Sequence, residues 1–412
     1  MSSVLTVLTR HRDFRRLFFA ELVVFGGDWF AVVPLMALLL DLTGMGFWGS
    51  LALAADTGLL ALLLPYAGTV ADRLDRRKIL IVASLAALVA VALLLAVRSP
   101  GLAFLGPVAI GVLGAAKAFY SPAALAALPN LVPREDLSIA NAIAGSAWGT
   151  MLVVGASLGG VMTVLVGPYL CFLITAACLL MATYLVWRIG TPMQSRERPE
   201  PTPVRVALRE AFGYIRHRPQ VLSLVTVKSA VGIGNGVLGS FPLLAASFAV
   251  GPAGTGFLFA ARGLGALIGP LLMRRVLRRR SWLLPGLGLS MAAYGLAYLG
   301  VAASRWFALT LVLVVVAHLA GGGNWTMSNF ALQLQVPDEL RGRVFATDMM
   351  LATLAVSISL LIFGALIDLV DLRVLIAGCA SATLLYAVGW SVAVRRLNRR
   401  GTATALATAA DS

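Results

Sequence analysis

Apolar stretches of about 20 residues recur along the whole chain and alternate with short polar segments. A helix of that length crosses the ~30 Å hydrocarbon core of a bilayer, so each stretch predicts a membrane-spanning helix. We number twelve such spans in chain order, at residues 17–40, 46–71, 79–97, 101–125, 139–166, 168–189, 219–246, 252–273, 282–303, 305–330, 343–368 and 372–394. Because that number is even, both termini are expected on the same side of the membrane.

The longest polar interruption, residues 190–218, divides the spans into two sets of six. It begins Pro-rich and becomes amphipathic between Val204 and Tyr214, which predicts a linker that contains a helix. We therefore expect an all-α membrane protein with six-helix bundles at 1–189 and 219–398. A disordered tail is predicted at 399–412.

The two halves resemble each other in sequence. The segment LVPREDLSIANA (131–142) recurs as QVPDELRGRVFA (335–346), and the two segments follow equivalent spans, 4 and 10. This pattern indicates a parallel repeat about an axis along the membrane normal, an arrangement found in secondary transporters. Pro34 and Pro242 lie at corresponding positions of spans 1 and 7 and are expected to interrupt both helices.

The composition agrees with a lipid environment. Hydrophobic residues make up 59% of the chain and charged residues 12%, whereas soluble proteins carry about 25% charged residues. The three cysteines lie inside apolar spans and are expected to act as small packing residues.

The net charge of +15 lies mainly in the loops on one side. Of the 33 lysines and arginines, 27 fall in the segments on the side of the termini, 3 in the opposite loops and 3 inside spans. The positive-inside rule therefore predicts that both termini are cytoplasmic. The lipid bilayer is the expected surroundings of the chain, and nucleic acid is not an expected partner.

Several ionisable residues lie inside predicted spans, where a charge costs at least ~2.5–3.5 kcal/mol and needs a partner, a water-filled cavity or a function. They are Glu21, Asp28, Asp56, Lys117, Lys228, Arg262 and His318. The interiors of spans 3, 6, 9 and 12 carry none, which predicts that every third span faces lipid.

Glu21 and Asp28 are seven residues apart on span 1 and therefore share one face of the helix. Desolvation disfavours a charged carboxylate while a nearby cation favours it, and this competition can place titration near neutral pH. Asp28, nearer the bilayer centre, is our candidate for a proton-coupling residue together with Glu21. Glu21 could instead extend to the headgroups.

The candidate countercharges are Lys117, Lys228, Arg262 and His318. We expect first-half carboxylates to pair with Lys228 or Arg262 across the interface when no substrate is bound. The structural alternatives are that His318 is a core residue, that Asp56 lies near the outer end of its span, and that Asp348 stabilises the N-terminus of span 11.

The sequence does not favour an enzyme or a receptor. The histidines at 11, 217 and 318 are dispersed and form no metal or acid–base cluster, and the longest loop is too short for a soluble sensor domain. No metal or cofactor is expected. A transporter is the remaining class.

The segment GTVADRLDRRKIL (68–80) resembles the loop between helices 2 and 3 of the major facilitator superfamily. Asp75, where the broad pattern has glycine, is similar to the twelve-helix drug:proton antiporter group of macrolide and siderophore exporters. RDFRRLFFAELVVFGGDWF at span 1 and VPDELRGRVFATD after span 10 add to the likeness. Span 5 departs from the group, because VGASLGG has alanine where the antiporter motif has proline.

The resemblance implies a major facilitator fold, in which spans 1, 4, 7 and 10 line a central cavity. Expected contacts with substrate are Phe25, Trp29, Phe119, Tyr120, Asn324 and Trp325. The resemblance also implies a conformational latch formed by Gly68, Asp72, Arg73, Arg76 and Arg77, with Asp72 and Arg73 facing span 11.

We therefore expect a monomeric transporter in the bacterial cytoplasmic membrane. It would export a small amphipathic molecule in exchange for protons by alternating access. The alternatives are an importer or facilitator of a small, possibly anionic metabolite and a lipid flippase on the same fold.

Overall fold

The structure, a computed structural model, describes the backbone of residues 4–194, 203–277 and 280–410, and their side chains except at 274–277, 280 and 398–410. Within those ranges the chain forms helices and no strand. Twelve described helical segments are long and apolar enough to cross a membrane. The predicted all-α fold with twelve spans is therefore confirmed.

The observed spans lie close to the predicted ones. In chain order they are Arg12–Thr43, Phe47–Arg73, Arg76–Ala96, Pro100–Leu131, Leu137–Val166, Pro168–Trp187, Pro219–Ser247, Gly251–Met273, Leu283–Ala303, Phe307–Gln335, Asp338–Leu366 and Leu372–Leu397. A short helix, Val4–Arg10, precedes span 1, and the linker contains the helix Val204–Arg216. We call the side that carries both termini and the linker the terminus side, and the opposite side the far side.

Several span ends differ from the predicted ones by five or six residues, and the start of span 11 matters for the site. Span 11 begins at Asp338 rather than 343, because Pro337 precedes two acidic residues that suit the first turn of a helix. The backbone of the last helix is described to Ala410. Residues 411–412, and 195–202 of the linker, lie outside the described residues.

Span 7 is a broken helix. Its segments Lys228–Gly234 and Phe241–Ser247 are separated by a 3-10 stretch from Asn235 to Ser240. Pro242 lies in the first turn after the break, whereas span 1 continues through Pro34 without interruption. The predicted interruption is therefore confirmed for span 7 and wrong for span 1.

Side chains from neighbouring spans compensate for the break in span 7. The Ile233 carbonyl accepts hydrogen bonds from the Ser359 hydroxyl and from the Cys379 thiol, the latter at 3.1 Å. Irregular backbone at membrane depth is tolerated where such partners satisfy it. Cys379 is therefore a packing residue that also donates to the backbone.

The packed cores show where the two halves meet. One core of buried side chains contains residues of both halves, including Trp29 and Phe259, whose ring centres are 5.1 Å apart. Two further cores lie nearer the terminus side. One contains first-half residues such as Phe14, and the other contains linker and second-half residues such as Leu287. The halves therefore share a core on the far side and have separate cores on the terminus side.

Two symmetry-related pairs of helices join the halves, span 2 with span 11 and span 5 with span 8. In the second pair, a Cβ atom at Gly256 would lie 3.0 Å from the Gly160 Cα. Such small residues allow helix backbones to approach closely in membranes. Nearer the terminus side, Cβ atoms at Gly68 and Gly145 would meet open space. The joined helices therefore diverge toward the terminus side.

A carboxylate closes the far side. Asp368, at the end of span 11, accepts hydrogen bonds from the backbone N–H groups of Gly46 at 2.8 Å and Phe47 at 3.0 Å. These groups lie at the N-terminus of span 2, where the helix leaves N–H groups unpaired and favours negative charge. Asp368 of the second half therefore caps a helix of the first half.

The linker helix Val204–Arg216 is attached to the second half. It buries Ala211 and Ile215 in the second-half core, and Glu210 forms an ion pair with Arg343 of span 11. The Tyr214 hydroxyl donates to the Gln335 carbonyl at 3.1 Å. The linker helix therefore belongs structurally to the half that follows it.

We predict that Gly256→Leu forces the halves apart, because a side chain there collides with span 5. Overpacking of a tight contact costs about 1–3 kcal/mol, so the melting temperature of the purified protein in detergent should fall. Gly145→Leu is the matched control, since a side chain at that position of span 5 meets open space. Equal melting temperatures for the two variants would contradict the close contact.

Candidate functional site

Three charged side chains meet inside the first half. The Lys117 ammonium of span 4 lies 2.9 Å from Asp28 Oδ2 of span 1 and 2.8 Å from Asp56 Oδ1 of span 2. All three side chains are largely buried, with 13–17% of their surface exposed. We call this group the Lys117 triad.

The local sequence explains how span 2 approaches span 4 so closely. Gly114 lies three residues before Lys117, on the same face of span 4. A Cβ atom at Gly114 would lie 2.8 Å from Asp56 Oδ1 and 2.9 Å from Asp56 Cα. A side chain at this position would therefore displace Asp56 from Lys117.

The triad holds two carboxylates and one ammonium, so its net charge is −1 when all three groups are ionised. One additional proton would neutralise it. Arg262, on span 8 of the second half, also interacts electrostatically with Asp56, and its guanidinium carbon lies 5.9 Å from the centre of the Trp148 ring on span 5. The triad therefore lies within the electrostatic influence of a cation from the other half.

Glu21 lies two helical turns from Asp28 on span 1. Its surface is 7% exposed, so it does not extend to the headgroups. Its carboxylate makes no hydrogen bond with another described residue. The structure therefore places a second buried carboxylate on the terminus side of the triad.

The second half contains its own ion pair, between Lys228 of span 7 and Asp348 of span 11. Both side chains are sealed from solvent, with 1% and 2% of their surface exposed. The Lys228 ammonium also donates to Asn329 Oδ1 at 2.7 Å and lies 4.9 Å from the centre of the Trp325 ring. This cation is fully partnered inside its own half.

These contacts correct three expectations. The structure does not bring Asp28 and Lys228 together across the interface, because each is neutralised within its own half. Asp348 does not stabilise a helix N-terminus, because span 11 begins at Asp338 and places Asp348 in the third turn. Asp56 does not lie at the outer end of its span, since it reaches Lys117.

His318 and Asn324 belong to the second-half core. The Tyr298 hydroxyl and His318 Nε2 are 2.8 Å apart and hydrogen-bonded, and Asn324 Nδ2 donates to the Ser290 hydroxyl at 2.9 Å. Both side chains are buried. The structure therefore supports the core alternative for His318 and gives Asn324 a partner other than substrate.

The aromatic residues expected to contact substrate lie in different environments. Trp29 is buried against Phe259 where the halves meet. Tyr120 is buried in the first half, and Phe119 packs against the same first-half core. Phe25 and Trp325 are half-buried and remain candidates for a surface in the central cavity.

The residues of the expected latch divide into two groups. Asp72 and Arg73 are exposed on the terminus side, and Gly68 faces open space. Arg76 instead donates to the carbonyls of Ala126 at 2.7 Å and Met193 at 2.9 Å. Arg77 donates to the Thr191 carbonyl at 3.4 Å. In this conformation Arg76 and Arg77 hold the first half together.

Sequence reasoning underestimated Asp56 and Asp348 and missed Asn329. A signal for Asp348 was available, because the other four acidic residues from 219 onward to the end of span 12 lie in loops or within two residues of a span end. A buried lysine in the second half could therefore pair inside the membrane only with Asp348. Asn329 carries no comparable signal in the sequence.

Comparison with known proteins places this site in a wider context. Over residues 3–408 the chain matches the protein family described as transmembrane secretion effector. It is 26% identical over 362 residues to the enterobactin exporter EntS of Salmonella typhi, with 82% of each chain covered. It is 25% identical over 392 residues to the multidrug efflux pump Tap of Mycolicibacterium fortuitum, which covers 90% of this chain and 93% of Tap.

Solved structures of low sequence identity share the fold. The nucleoside transporter NupG has a TM-score of 0.73 at 15% identity, covering 93% of this chain and 99% of that one. A bacterial homologue of the human lysosomal transporter Spinster, in an inward-facing and unoccupied conformation, has a TM-score of 0.66 at 15% identity and covers 93% of this chain and 97% of its own. These likenesses confirm the predicted arrangement of two six-helix bundles.

We predict that Lys228→Met strongly destabilises the protein, because it leaves the Asp348 carboxylate buried and unpaired. Breaking a buried pair on one side costs about 3–5 kcal/mol, whereas replacing both partners with apolar residues is often neutral. The double variant Lys228→Met/Asp348→Leu should therefore recover most of the loss in melting temperature. A double variant as unstable as the single one would show that the pair is not the source of the effect.

Proposed function

Because the chain belongs to the transmembrane secretion effector family of the major facilitator superfamily, we propose that it is a proton-coupled exporter of small amphipathic molecules. The observation that carries this proposal is the Lys117 triad, in which two buried carboxylates share one ammonium. Such a group can take up one proton and become neutral, so its protonated form carries no net charge in the membrane. The names of EntS and Tap support export as the direction of transport.

Protonation of Asp28 would change the forces on Lys117. With both carboxylates charged, the ammonium is held between spans 1 and 2. With Asp28 neutral, the attraction to Asp56 dominates, and the Lys117 side chain shifts toward span 2. Span 2 is one of the helices that contact the second half, so we propose that this shift biases the packing of the two halves.

The conformation is consistent with a transporter that loads substrate from the terminus side. The halves share a core on the far side and diverge on the terminus side. The excess of lysine and arginine on the terminus side supports its assignment to the cytoplasm. We propose that this is the cytoplasm-open state of an alternating-access cycle in the bacterial cytoplasmic membrane.

We propose that Asp72 and Arg73 form their latch in the opposite state. Both are exposed where the halves diverge. Span 2, which carries them, packs on span 11 nearer the far side, where a Cβ atom at Gly364 would lie 2.7 Å from the Ser50 Cβ. Closing the terminus side would bring the end of span 2 toward the start of span 11. A latch that forms only there would stabilise the state open to the outside.

An importer of a small anion is the second candidate. Arg262 is half-buried, lies on a span that contacts the other half, and interacts electrostatically with Asp56. A cation in that position favours an anionic substrate in the central cavity. The direction of net flux separates the two candidates, since an importer raises the internal concentration of its substrate.

Asp28→Asn should abolish proton movement that depends on substrate. A susceptibility and accumulation screen in a strain without its own efflux pumps first selects a transported compound. Everted vesicles with an imposed pH gradient then report proton efflux when that compound is added. Asp41→Asn, the same change at the exposed end of span 1, is the control and should behave like the wild type. Proton movement that persists in Asp28→Asn would refute the coupling assignment.

Asp72→Asn should slow transport of the same compound without reducing the amount of protein in the membrane. The charge needed to hold the terminus side shut would be lost, while the basic residues that fix topology remain. Glu135→Gln, at an exposed position of the next loop on the same side, is the matched control. Wild-type flux in Asp72→Asn would show that the charged loop between spans 2 and 3 acts only in setting the membrane topology.

A further inference from the structure

A small cavity lies beside Asp28 inside the first half. Its walls come from spans 1, 3, 4 and 6, and its polar lining residues include Asp28, Ser84, Lys117 and Tyr120. The centre of a water molecule can occupy about 20 Å³ of it. The cavity therefore has room for at least one water molecule.

Two buried polar atoms around this cavity lack a hydrogen-bond partner among the described residues. They are the Tyr120 hydroxyl and Asp28 Oδ1, the carboxylate oxygen that does not face Lys117. Tyr120 is 2% exposed. A buried polar group without a hydrogen-bond partner is destabilising, so both atoms favour a molecule that bonds to them. The Ser84 hydroxyl, which donates to the Leu80 carbonyl, still has an acceptor site to offer.

The depths of the groups along the membrane form a series. Spans 1 and 4 run in opposite directions, so Tyr120, three residues after Lys117, lies about 4.5 Å closer to the terminus side than Lys117 at 1.5 Å per residue. Glu21 lies about 10 Å closer to that side than Asp28 by the same measure. Glu21 and Tyr120 are both buried within the first half. Tyr120 therefore lies between Asp28 and Glu21.

We propose that one water bound in this cavity bridges Asp28 Oδ1 and the Tyr120 hydroxyl, and that Tyr120 and Glu21 continue this bridge as a proton relay toward the terminus side. The relay rests on the proposed function, because it supplies the path for the proton that Asp28 carries. In this relay Tyr120 transfers the proton, and Glu21 is the final proton acceptor.

Each transfer in the relay is balanced. Protonated Asp28 gives its proton to the water, and the water gives one of its own protons to the Tyr120 oxygen. The Tyr120 hydroxyl, which has no hydrogen-bond partner in the described part of the chain, then turns to the Glu21 carboxylate and releases its original proton to it. Asp28 ends ionised and Glu21 neutral, the water and Tyr120 are unchanged, and no electron is transferred.

The relay lies within a single half of the protein. The walls of the cavity belong to spans 1, 3, 4 and 6 of the first half. The relay therefore does not depend on the surfaces that separate when the halves move. The proton and the substrate therefore have separate routes, and a substrate in the central cavity does not block the release of the proton.

Time-resolved infrared spectroscopy tests the relay without a transported compound. Purified protein in lipid nanodiscs receives protons from a photolysed caged proton, and the carboxylic acid band that Asp28→Asn removes reports protonation of Asp28. Tyr120→Phe should slow the appearance of this band by about 100-fold, the low end of the effect of a positioned proton donor. Tyr169→Phe is the matched control, since its hydroxyl donates to the Val97 carbonyl on the far side of the same half.

A second variant tests the water itself. Ala87 is another lining residue of the cavity, and Ala87→Val fills space without changing an ionisable group. It should slow the Asp28 band as Tyr120→Phe does, while melting temperatures show whether either variant is damaged. A wild-type rate in both variants overturns the relay and leaves Asp28 as the proton carrier. If Asp28→Asn removes no band, the proton carrier of the proposed function is wrong and the relay falls with it.

Discussion

The cost of holding a charge in hydrocarbon governs how this protein is built. In the first half Lys117 is neutralised by Asp28 and Asp56, and in the second half Lys228 is neutralised by Asp348. Neither ion pair crosses the interface. The halves can therefore move relative to each other without breaking either ion pair, and so avoid the cost of at least ~2.5–3.5 kcal/mol for each charge that such a break would expose.

The two charged groups differ in ways that suit different tasks. The Lys117 triad has one carboxylate more than it has cations, keeps some exposure and adjoins a cavity. The Lys228 pair is balanced, sealed and further satisfied by Asn329. A group with spare charge and access responds to a proton, whereas a balanced and sealed pair resists one. The asymmetry is consistent with a first half that senses protons and a second half that serves as a rigid partner.

The sequence predicted the spans well because each needs only a run of apolar residues, which is local information. It predicted the partners of charged residues less well, because pairing depends on how each helix is rotated and on which neighbours it meets. The first-half carboxylates were matched to Lys228 or Arg262 of the other half, yet Lys117 binds both Asp28 and Asp56, and Gly114 allows spans 2 and 4 the close approach that the contact with Asp56 needs. Asp348 was misjudged because the start of span 11 was placed five residues too late. His318 shows the same limit, since its partner Tyr298 lies on another span.

The contact that closes the far side has a consequence for evolution. Asp368 binds the backbone N–H groups of residues 46 and 47, and the side chains of these two residues take no part in the bonds. The side chain at position 47 can therefore change without removing the bond, unless the new residue is proline, which has no N–H to donate. Position 46 is restricted for a different reason, because a Cβ atom there would lie 2.6 Å from the Leu243 side chain. Across related sequences, position 368 should hold its carboxylate and position 46 its glycine, while position 47 varies. A search for co-varying residues would not detect the Asp368 contact, although this contact joins one half of the transporter to the other.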